Sequence, residues 1–298
     1  MVMKSQQKAY LFAGLAIFFW STVASAFKIA LRHLDYFHLL FYASLTSTLL
    51  LFFILLFQGK LHEVLNSSIA DIGRSMLFGL LSPFLYYLIL FKAYSLLPAQ
   101  VAQPLNMVWP IVLVFLSVPL LKHKVHKKSY LALFICFAGV YLVSSQGILF
   151  EPGRTNTPGV FLALGSSIIW SLFFILNVRD KRAEEVKLFL NFLFATCYIF
   201  VFILIFSKLS FPDFKGLLPA IYTGLFEMGI TFVLWLKALR LTKSADQIST
   251  FVYLAPFFSL IFIHIFVGEK IFYTTVIGLI LIVGGIIFQK VRLPGERR

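Results

Sequence analysis

The chain has little charge for its length. Of its 298 residues only 13% are Asp, Glu, Lys or Arg, whereas 60% are hydrophobic and the mean hydropathy is +0.92. A soluble protein of this size needs far more charge to cover its surface. The shortage of charge therefore excludes an ordinary soluble globular protein, and no polar stretch is long enough to form a separate soluble domain.

Cysteine and the short catalytic motifs are also scarce. The two cysteines, Cys136 and Cys197, both lie in apolar runs, so the sequence predicts neither a disulfide framework nor a metal site. It contains no glycine-rich phosphate loop, no nucleophile elbow and no pair of carboxylates within the apolar runs. We therefore expect no cofactor and no enzyme, although an intramembrane enzyme using Glu227 and a histidine remains an alternative.

Acidic residues are fewer than half as many as basic residues, 12 against 26, and the net charge is +14. The basic residues are spread along the whole chain instead of forming one basic region, which argues against nucleic acid as a partner. They do follow a pattern relative to the apolar runs, which is described below.

Ten apolar runs of about 20 residues occupy most of the sequence, and a helix of that length matches the apolar thickness of a bilayer. The fold class predicted is an all-α polytopic membrane protein with ten transmembrane helices. The predicted spans are 10–31, 37–57, 74–92, 99–120, 129–146, 158–178, 187–206, 217–236, 246–267 and 272–290.

The basic residues predict the orientation of these spans. With both termini on the inner side, 19 of the 26 Lys and Arg residues lie in inner segments, among them the loop at 122–128. The positive-inside rule then predicts a protein of the cell membrane with both termini cytoplasmic. The first apolar run could instead be a removable signal peptide ending near Ala24-Ser25-Ala26, but it has a counterpart later in the chain.

The sequence contains the same pattern twice. Lys92 and Lys237 are 145 residues apart in LFKAYSLLPA and WLKALRLTKSA, and Trp20-Ser21 recurs as Trp170-Ser171 at an offset of 150. Because five spans is an odd number, the second copy enters the membrane from the opposite side. We expect two inverted five-helix repeats, at 1–146 and 158–298, joined by an outer loop at 147–157. Such inverted repeats are typical of alternating-access transporters.

Five segments resemble the EamA-type branch of the drug/metabolite transporter superfamily along nearly the whole chain. They are FFWSTVASAFKIAL, WPIVLVFLSVPL, LALGSSIIWSLFFIL, WLKALRLTKSADQ and LAPFFSLIFIHIFVGEKI. Within that branch, IFFWST, LFYASLTSTLLLF and LNMVWP are most similar to the aromatic amino-acid exporters. The resemblance implies ten helices, a central cavity between the halves and export of small organic solutes.

Two departures from the family pattern weaken any transfer of substrate. Where the family usually ends the fourth span of the first repeat with Gly-Glu, this chain has Lys122-His123, and only the second repeat keeps Gly268-Glu269. Many relatives place Arg in the second span at the position of Tyr42.

Glu227 is the most informative polar residue, because it is the only acidic residue deep within the apolar runs. A charged carboxylate at the bilayer centre is disfavoured by about 2.5–3.5 kcal/mol, so it should face protein or water. Helical spacing puts Thr231 and Trp235 on the same stripe. We interpret this stripe as a cavity wall; the alternative is a neutral Glu that bonds a neighbouring helix for packing.

Further candidates for the cavity lie on the fourth and ninth spans. Asn106 and Trp109 precede Pro110, a residue that removes a backbone donor and kinks a helix. Pro256 holds the matching place beside Tyr253. These two prolines are predicted hinges, although interhelical bonding with a harmless kink would give the same pattern.

Trp20 and Trp170 lie well inside their spans, away from the interfaces where Trp usually collects. Together with Tyr42 they complete the predicted substrate-binding set. Indole faces and a carboxylate suit a zwitterionic, partly apolar solute. The sequence thus predicts a secondary transporter for an amino acid or related solute, with export favoured and proton coupling through Glu227 as an option. A passive pore or a solute sensor is the alternative, and nothing indicates an oligomeric state.

Overall fold

The structure is a computed structural model that describes residues 5–121, 127–149, 155–242 and 251–290. Its helices are α1 (Ser5–Ala30), α2 (Tyr36–Phe57), α3 (Leu61–Leu65), α4 (Ile69–Gly79), α5 (Tyr86–Leu96), α6 (Ala99–Asn106), α7 (Trp109–Leu121), α8 (Lys127–Ser144), α9 (Thr157–Val178), α10 (Glu184–Phe206), α11 (Phe214–Phe226), α12 (Ile230–Leu241), α13 (Ala255–Phe262) and α14 (Tyr273–Lys290). No strand occurs in these ranges.

Seven helical stretches of the described residues are long and apolar enough to cross a membrane. They are Ser5–Ala30, Tyr36–Phe57, Ile69–Leu96, Ala99–Leu120, Thr157–Val178, Glu184–Phe206 and Phe214–Leu241. Three further helices are apolar but shorter, and they lie at Lys128–Ser144, Val252–Val267 and Tyr273–Gln289. This all-helical, apolar architecture is that of a polytopic membrane protein, as the composition predicts. The start of the predicted ninth span, at 246–250, lies outside the described residues.

Side chains in the loops fix where several helices begin. Asp35, Ser68, Asn156 and Asp213 each accept a hydrogen bond from a backbone N–H in the first turn of the helix that follows. Such caps satisfy amide groups that a helix cannot pair internally. They define the start of α2, α4, α9 and α11 and thereby the register of the long spans.

Three of the long spans are broken near their middles. A π-helical turn at Leu80–Leu85 separates α4 from α5, and Ser82 within it has an extended backbone (φ −149°, ψ 126°). The α6 and α7 helices are separated at Met107 and Val108. The third break, between α11 and α12, includes Gly229. Breaks at membrane depth are tolerated only where protein or a cavity receives the free backbone groups.

The bundle is held together by pairwise packing of its long helices. In the centre α2 packs against α10, while α1 packs against α11 and α12, and α9 packs against α5 and α7. At one side α8 packs against α14, where two glycines allow the backbones to touch. A Cβ on Gly278 would lie 2.6 Å from the Gly139 carbonyl oxygen, and a Cβ on Gly139 would lie 2.6 Å from the Gly278 carbonyl oxygen.

This contact makes Gly278 intolerant of any side chain. We expect Gly278→Ala to separate α8 from α14 and to lower stability by about 1–3 kcal/mol, the usual range for overpacking. The measurement is the midpoint of thermal unfolding of the purified protein in detergent.

Gly284 on the same helix is the matched control, because a Cβ there meets nothing within 4 Å. Gly284→Ala should leave the midpoint unchanged or raise it, since alanine favours helix. Equal midpoints for the two variants would contradict the close packing of α8 on α14.

Candidate functional site

A continuous series of aromatic rings crosses the middle of the bundle. The ring centroids of Trp235 and Trp20 are 5.5 Å apart, and Trp20 is 5.9 Å from Phe232. Phe232 is 6.5 Å from Trp170, which lies 4.9 Å from Tyr86. These residues come from α12, α1, α9 and α5, so the series joins helices from both halves of the chain.

Polar side chains line the same region. The Tyr87 hydroxyl donates to Glu227 Oε1 at 3.1 Å, and the Tyr86 hydroxyl donates to Asn106 Oδ1 at 3.1 Å. Asn106 Nδ2 donates in turn to Ser166 Oγ at 2.9 Å. The Tyr86 and Tyr87 rings touch edge to face, with centroids 4.6 Å apart. Both tyrosines are buried, whereas Glu227 and Asn106 are only half-buried.

We call this group the central cluster. Its members are Trp20, Tyr86, Tyr87, Asn106, Trp109, Ser166, Trp170, Glu227, Phe232 and Trp235. Trp109 belongs to it because its ring lies 6.5 Å from that of Trp170 and its carbonyl lies 2.8 Å from the Ser171 hydroxyl. Six members, Trp20, Asn106, Trp109, Trp170, Glu227 and Trp235, were selected from the sequence alone.

Three other residues of the predicted set lie differently. Tyr42 points to a loop, where its hydroxyl donates to the Ser210 carbonyl at 2.7 Å. Thr231 is fully buried, and its hydroxyl donates to the Phe226 carbonyl across the break between α11 and α12. Tyr253 is buried in a 3₁₀ turn, Val252–Leu254, immediately before α13.

The two predicted hinge prolines stand at corresponding places. Pro110 is the second residue of α7, directly after the break that follows Asn106. Pro256 is the second residue of α13, directly after the 3₁₀ turn. At the start of a helix proline removes only an amide that would be unpaired anyway, so both breaks occur where proline is best tolerated.

Sequence reasoning did not assign Tyr86, Tyr87, Ser166 or Phe232 to the site. In a chain with 12 Tyr and 36 Phe residues, composition does not single out any one of them. The available signal was the position of Tyr86 and Tyr87, just after Ser82 and Pro83, in a span that is broken at this point.

One end of the bundle is tightly tied, and we call it the Glu269 end. The Glu269 carboxylate accepts from the backbone N–H groups of Ala99 (2.8 Å) and Gln100 (3.1 Å) at the start of α6. At the end of α1, Lys28 Nζ donates to the Leu97 carbonyl at 2.9 Å, and an Arg32 guanidinium nitrogen donates to the Val267 carbonyl at 2.6 Å. These bonds join three parts of the chain at this end of the bundle.

The opposite end carries an ion network, and we call it the Lys187 end because the buried Lys187 Nζ donates there to the Asp180 carbonyl at 3.2 Å and pairs with Glu184 at 2.8 Å. Arg182 binds the buried Asp180 carboxylate through Nε at 3.0 Å, and it donates to the Asp71 carbonyl and to the Ser75 hydroxyl. Burial alone would raise the pKa of Asp180, but the hydrogen bonds and charge of Arg182 outweigh it and hold the pKa below 3.8. The network fastens the loop before α10 to α4.

A family model for EamA-like transporters matches the chain twice, over residues 7–145 and 157–289. The chain belongs to the EamA-like transporter family. The protein is therefore a transporter of the drug/metabolite superfamily and not an enzyme, as the sequence predicts. Among the described residues no group of three or more His, Cys, Asp or Glu could hold a metal ion.

The transporter has relatives that are similar along almost its whole length. An uncharacterized transporter of Archaeoglobus fulgidus is 24% identical over 283 residues, covering 94% of this chain and 96% of the relative. The uncharacterized transporter YxxF of Bacillus subtilis is 23% identical, with 89% and 84% coverage. A solved crystal structure shares the fold with a TM-score of 0.67 at 21% identity, covering 95% of this chain and 96% of the other.

The ion network at the Lys187 end should make stability depend on pH. Removing the guanidinium in Arg182→Gln should lower the free energy of unfolding by roughly 1.5–3 kcal/mol at pH 7, the range for bonds to charged groups. Because the folded-state pKa of Asp180 is depressed, this stabilisation is present above the unfolded pKa of about 3.8 and is lost as pH falls through the folded value.

Thermal unfolding midpoints of the two proteins, measured between pH 7 and pH 3, should therefore differ most at pH 7 and converge at the acid end. Arg179→Gln is the control, since Arg179 donates only to the Leu120 carbonyl in the described contacts. A difference that does not change with pH would show that Arg182 stabilises through its packing and its bonds to the Asp71 carbonyl and the Ser75 hydroxyl, and not through the Asp180 carboxylate.

Proposed function

We propose that this transporter moves a small zwitterionic, partly apolar solute, such as an amino acid, by alternating access at the central cluster. The observation that carries the proposal is the composition of that cluster. Its ten residues come equally from the two matched segments of the chain, and its single carboxylate, Glu227, is bonded to Tyr87 of the other segment. A site shared between two halves changes its exposure when the halves move relative to each other.

The chemistry of the cluster supports this solute class. The four tryptophans offer flat apolar surface, and their faces attract an ammonium group. Glu227 can hold that ammonium directly or exchange it for a proton, and Asn106 can bond a carboxylate. Export of the solute and coupling to protons are part of the proposal and follow from the sequence resemblance and from the position of Glu227.

Two inverted five-helix repeats, giving ten spans, are also part of the proposal. Contacts between α2 and α10 support it. When each residue of one contact is replaced by its counterpart 148 residues away, the result is a second contact between the same two helices. The ring centroids of Phe41 and Phe200 are 5.9 Å apart. Their counterparts are Phe189 and Phe52, whose ring centroids are 6.1 Å apart. Such a pair of contacts implies a two-fold pseudo-axis between α2 and α10. A residue that lies on this axis should contact its own counterpart.

Such self-contacts occur in two places. The Thr48 hydroxyl lies 3.0 Å from the hydroxyl of Thr196, 148 residues later. At the other helix pair, the Cys136 thiol donates to the carbonyl of Ile282, 146 residues later, at 3.5 Å. Contacts of this kind are expected on a two-fold pseudo-axis and have no reason to arise in a bundle without one.

Burial along α1 and α9 follows the same rule. The first six buried positions of α1 each have a counterpart 150 residues later in α9, and each counterpart is also buried. The α1 positions are Ala9, Ala13, Ala16, Ile17, Ser21 and Val23, and the α9 positions are Gly159, Ala163, Ser166, Ser167, Ser171 and Phe173. This repetition supports equivalent environments for the two helices.

The ties at the Glu269 end support alternating access. Bonds from Glu269, Lys28 and Arg32 join the start of α6, the end of α1 and the segment at 267–269 at that end. Opening to that side requires these bonds to break together, while the Lys187 end opens in the other state. The positive-inside pattern assigns the Glu269 end to the outer face.

Glu227→Gln tests the transport proposal. The variant keeps the shape of the side chain and loses its charge, so we expect loss of gradient-driven transport by at least about tenfold, the effect of one lost charged contact. The assay is uptake of radiolabelled amino acids into proteoliposomes with and without a pH gradient, alongside a monodispersity check of the purified variant.

Glu63→Gln on α3, distant from the central cluster, is the control and should transport normally. Normal transport by Glu227→Gln over the whole pH range would make Glu227 a packing residue. Transport in the wild type that is never saturable and ignores every gradient would favour the passive pore.

The proposed topology has its own test. Asn66, after α3, and Lys208, after α10, are both exposed and lie at opposite ends of the bundle. In whole cells Lys208→Cys should react with an impermeant thiol reagent, and Asn66→Cys should react only after permeabilisation. The reverse pattern would invert the topology and place both termini outside.

A further inference from the structure

We infer that Tyr86 and Tyr87 are positioning residues that fix the polarity of the central cluster, with a hydrogen-bond acceptor at Glu227 and a donor at Asn106. This inference rests on the proposed function and deepens it, because it predicts which end of a solute each residue binds. It begins from the position of the two tyrosines at the start of α5, directly after the π-helical turn.

Consecutive residues of a helix point about 100° apart, so two neighbouring side chains can reach two different walls. Tyr87 reaches Glu227 at the break between α11 and α12, and Tyr86 reaches Asn106 at the end of α6. Tyr87 is 2% exposed and Tyr86 5% exposed, and their rings pack on each other. Both hydroxyls are therefore held in place by packing.

The orientation of the Asn106 amide follows from its neighbours. The Ser166 hydroxyl has a single hydrogen, which it donates to the Ala163 carbonyl at 2.7 Å. It must therefore accept from Asn106, so the Asn106 NH₂ group faces Ser166 and the carbonyl faces the Tyr86 hydroxyl. The Tyr86 hydroxyl thus holds the carbonyl side of Asn106, and the NH₂ group keeps a second hydrogen for which no partner is found in the described parts of the chain.

Glu227 is fixed in the opposite sense. Tyr87 occupies Oε1 as a donor, which leaves Oε2 as an acceptor with no partner in the part of the chain that the structure describes. Glu227 and Asn106 are both only half-buried, so each keeps some accessible surface. The tyrosine pair thus leaves one acceptor and one donor, which is the arrangement that binds an ammonium at one end and a carboxylate at the other.

Other titratable side chains do not compete for this role. The helices packed against the break at Glu227 are α1 and α2. Lys28 on α1, His38 on α2 and Asp35, which caps α2, are engaged near the Glu269 end. Lys8 is exposed at the other end of α1. Tyr222 on α11 is engaged with the Thr22 hydroxyl at 2.6 Å. Tyr94 lies further along α5 than the pair and packs against Phe27.

Three probes that share a phenyl ring separate the two ends. They are L-phenylalanine, phenethylamine, which lacks the carboxylate, and 3-phenylpropionate, which lacks the amine. All four tryptophans of the chain belong to the central cluster, so tryptophan emission reports binding there directly. Titrations use the full-length protein in lipid nanodiscs.

Tyr87→Phe should weaken phenethylamine and L-phenylalanine about tenfold and leave 3-phenylpropionate unchanged, because one charged hydrogen bond is worth about that factor. Tyr86→Phe should weaken 3-phenylpropionate and L-phenylalanine and leave phenethylamine unchanged. Tyr94→Phe, the matched control on the same helix, should change none of them. Equal weakening of all three probes by both variants would overturn the inference.

A second readout does not depend on a solute. The infrared band of the Glu227 carboxyl group, assigned by its loss in Glu227→Gln, should shift in Tyr87→Phe and remain in place in Tyr86→Phe and Tyr94→Phe. An unshifted band in Tyr87→Phe overturns the positioning role. A shifted band in a protein whose wild type binds none of the probes supports that role and refutes the proposed solute class.

Discussion

Lipid offers no hydrogen bonds, so every backbone group that a broken helix leaves unpaired must find a partner within the protein. Three spans of this transporter are broken, and at the break between α11 and α12 side-chain hydroxyls meet the freed carbonyls. Ser47 donates to the Gly224 carbonyl at 2.6 Å, and Thr231 donates to the Phe226 carbonyl. Beside the break before α7, Ser171 donates to the Trp109 carbonyl. Each hydroxyl also joins two elements, so the repair of a break is at the same time a tertiary contact. The breaks therefore occur in the interior, and the interior is where the central cluster forms.

The position of Glu227 follows from the same constraint. It is the residue after the last turn of α11, where the chain leaves the helix and the side chain can turn inward. Its counterpart in the first half of the chain, 145 residues earlier, is Ser82, which lies at the break between α4 and α5. Both halves thus break at the same point, but only one carries a carboxylate. The two matched segments meet at the central cluster, and their unequal side chains give the cluster its chemistry.

Stability at the two ends has different sources. The Glu269 end is closed by a carboxylate that caps α6 and by two cations that bond backbone carbonyls, whereas the Lys187 end is fastened by ion pairs among side chains. In the first set, each of these charged side chains bonds a backbone group. The second set depends on the ionised state of Asp180. An exchange between states open to opposite sides would break these two kinds of bond in turn.

The membrane class, the approximate spans and the family could be predicted from sequence because they depend on properties that are additive along the chain. Apolar runs of bilayer length, basic loops and the recurrence of Trp20-Ser21 as Trp170-Ser171 are visible without knowledge of contacts. The inward orientation of Glu227 could also be predicted from sequence, because a lone carboxylate in an apolar run must face protein or water.

Tertiary structure alone decided which side chains meet. Tyr42 and Tyr87 look alike in the sequence, since each lies in an apolar run, but the first bonds the Ser210 carbonyl in a loop and the second bonds Glu227. The breaks at Ser82 and at Met107–Val108 redirect the residues that follow them, and a change of direction over two residues is not encoded in hydropathy or helical period. Sequence determined what the chain must bury, and the packing of broken helices determined which buried groups face one another.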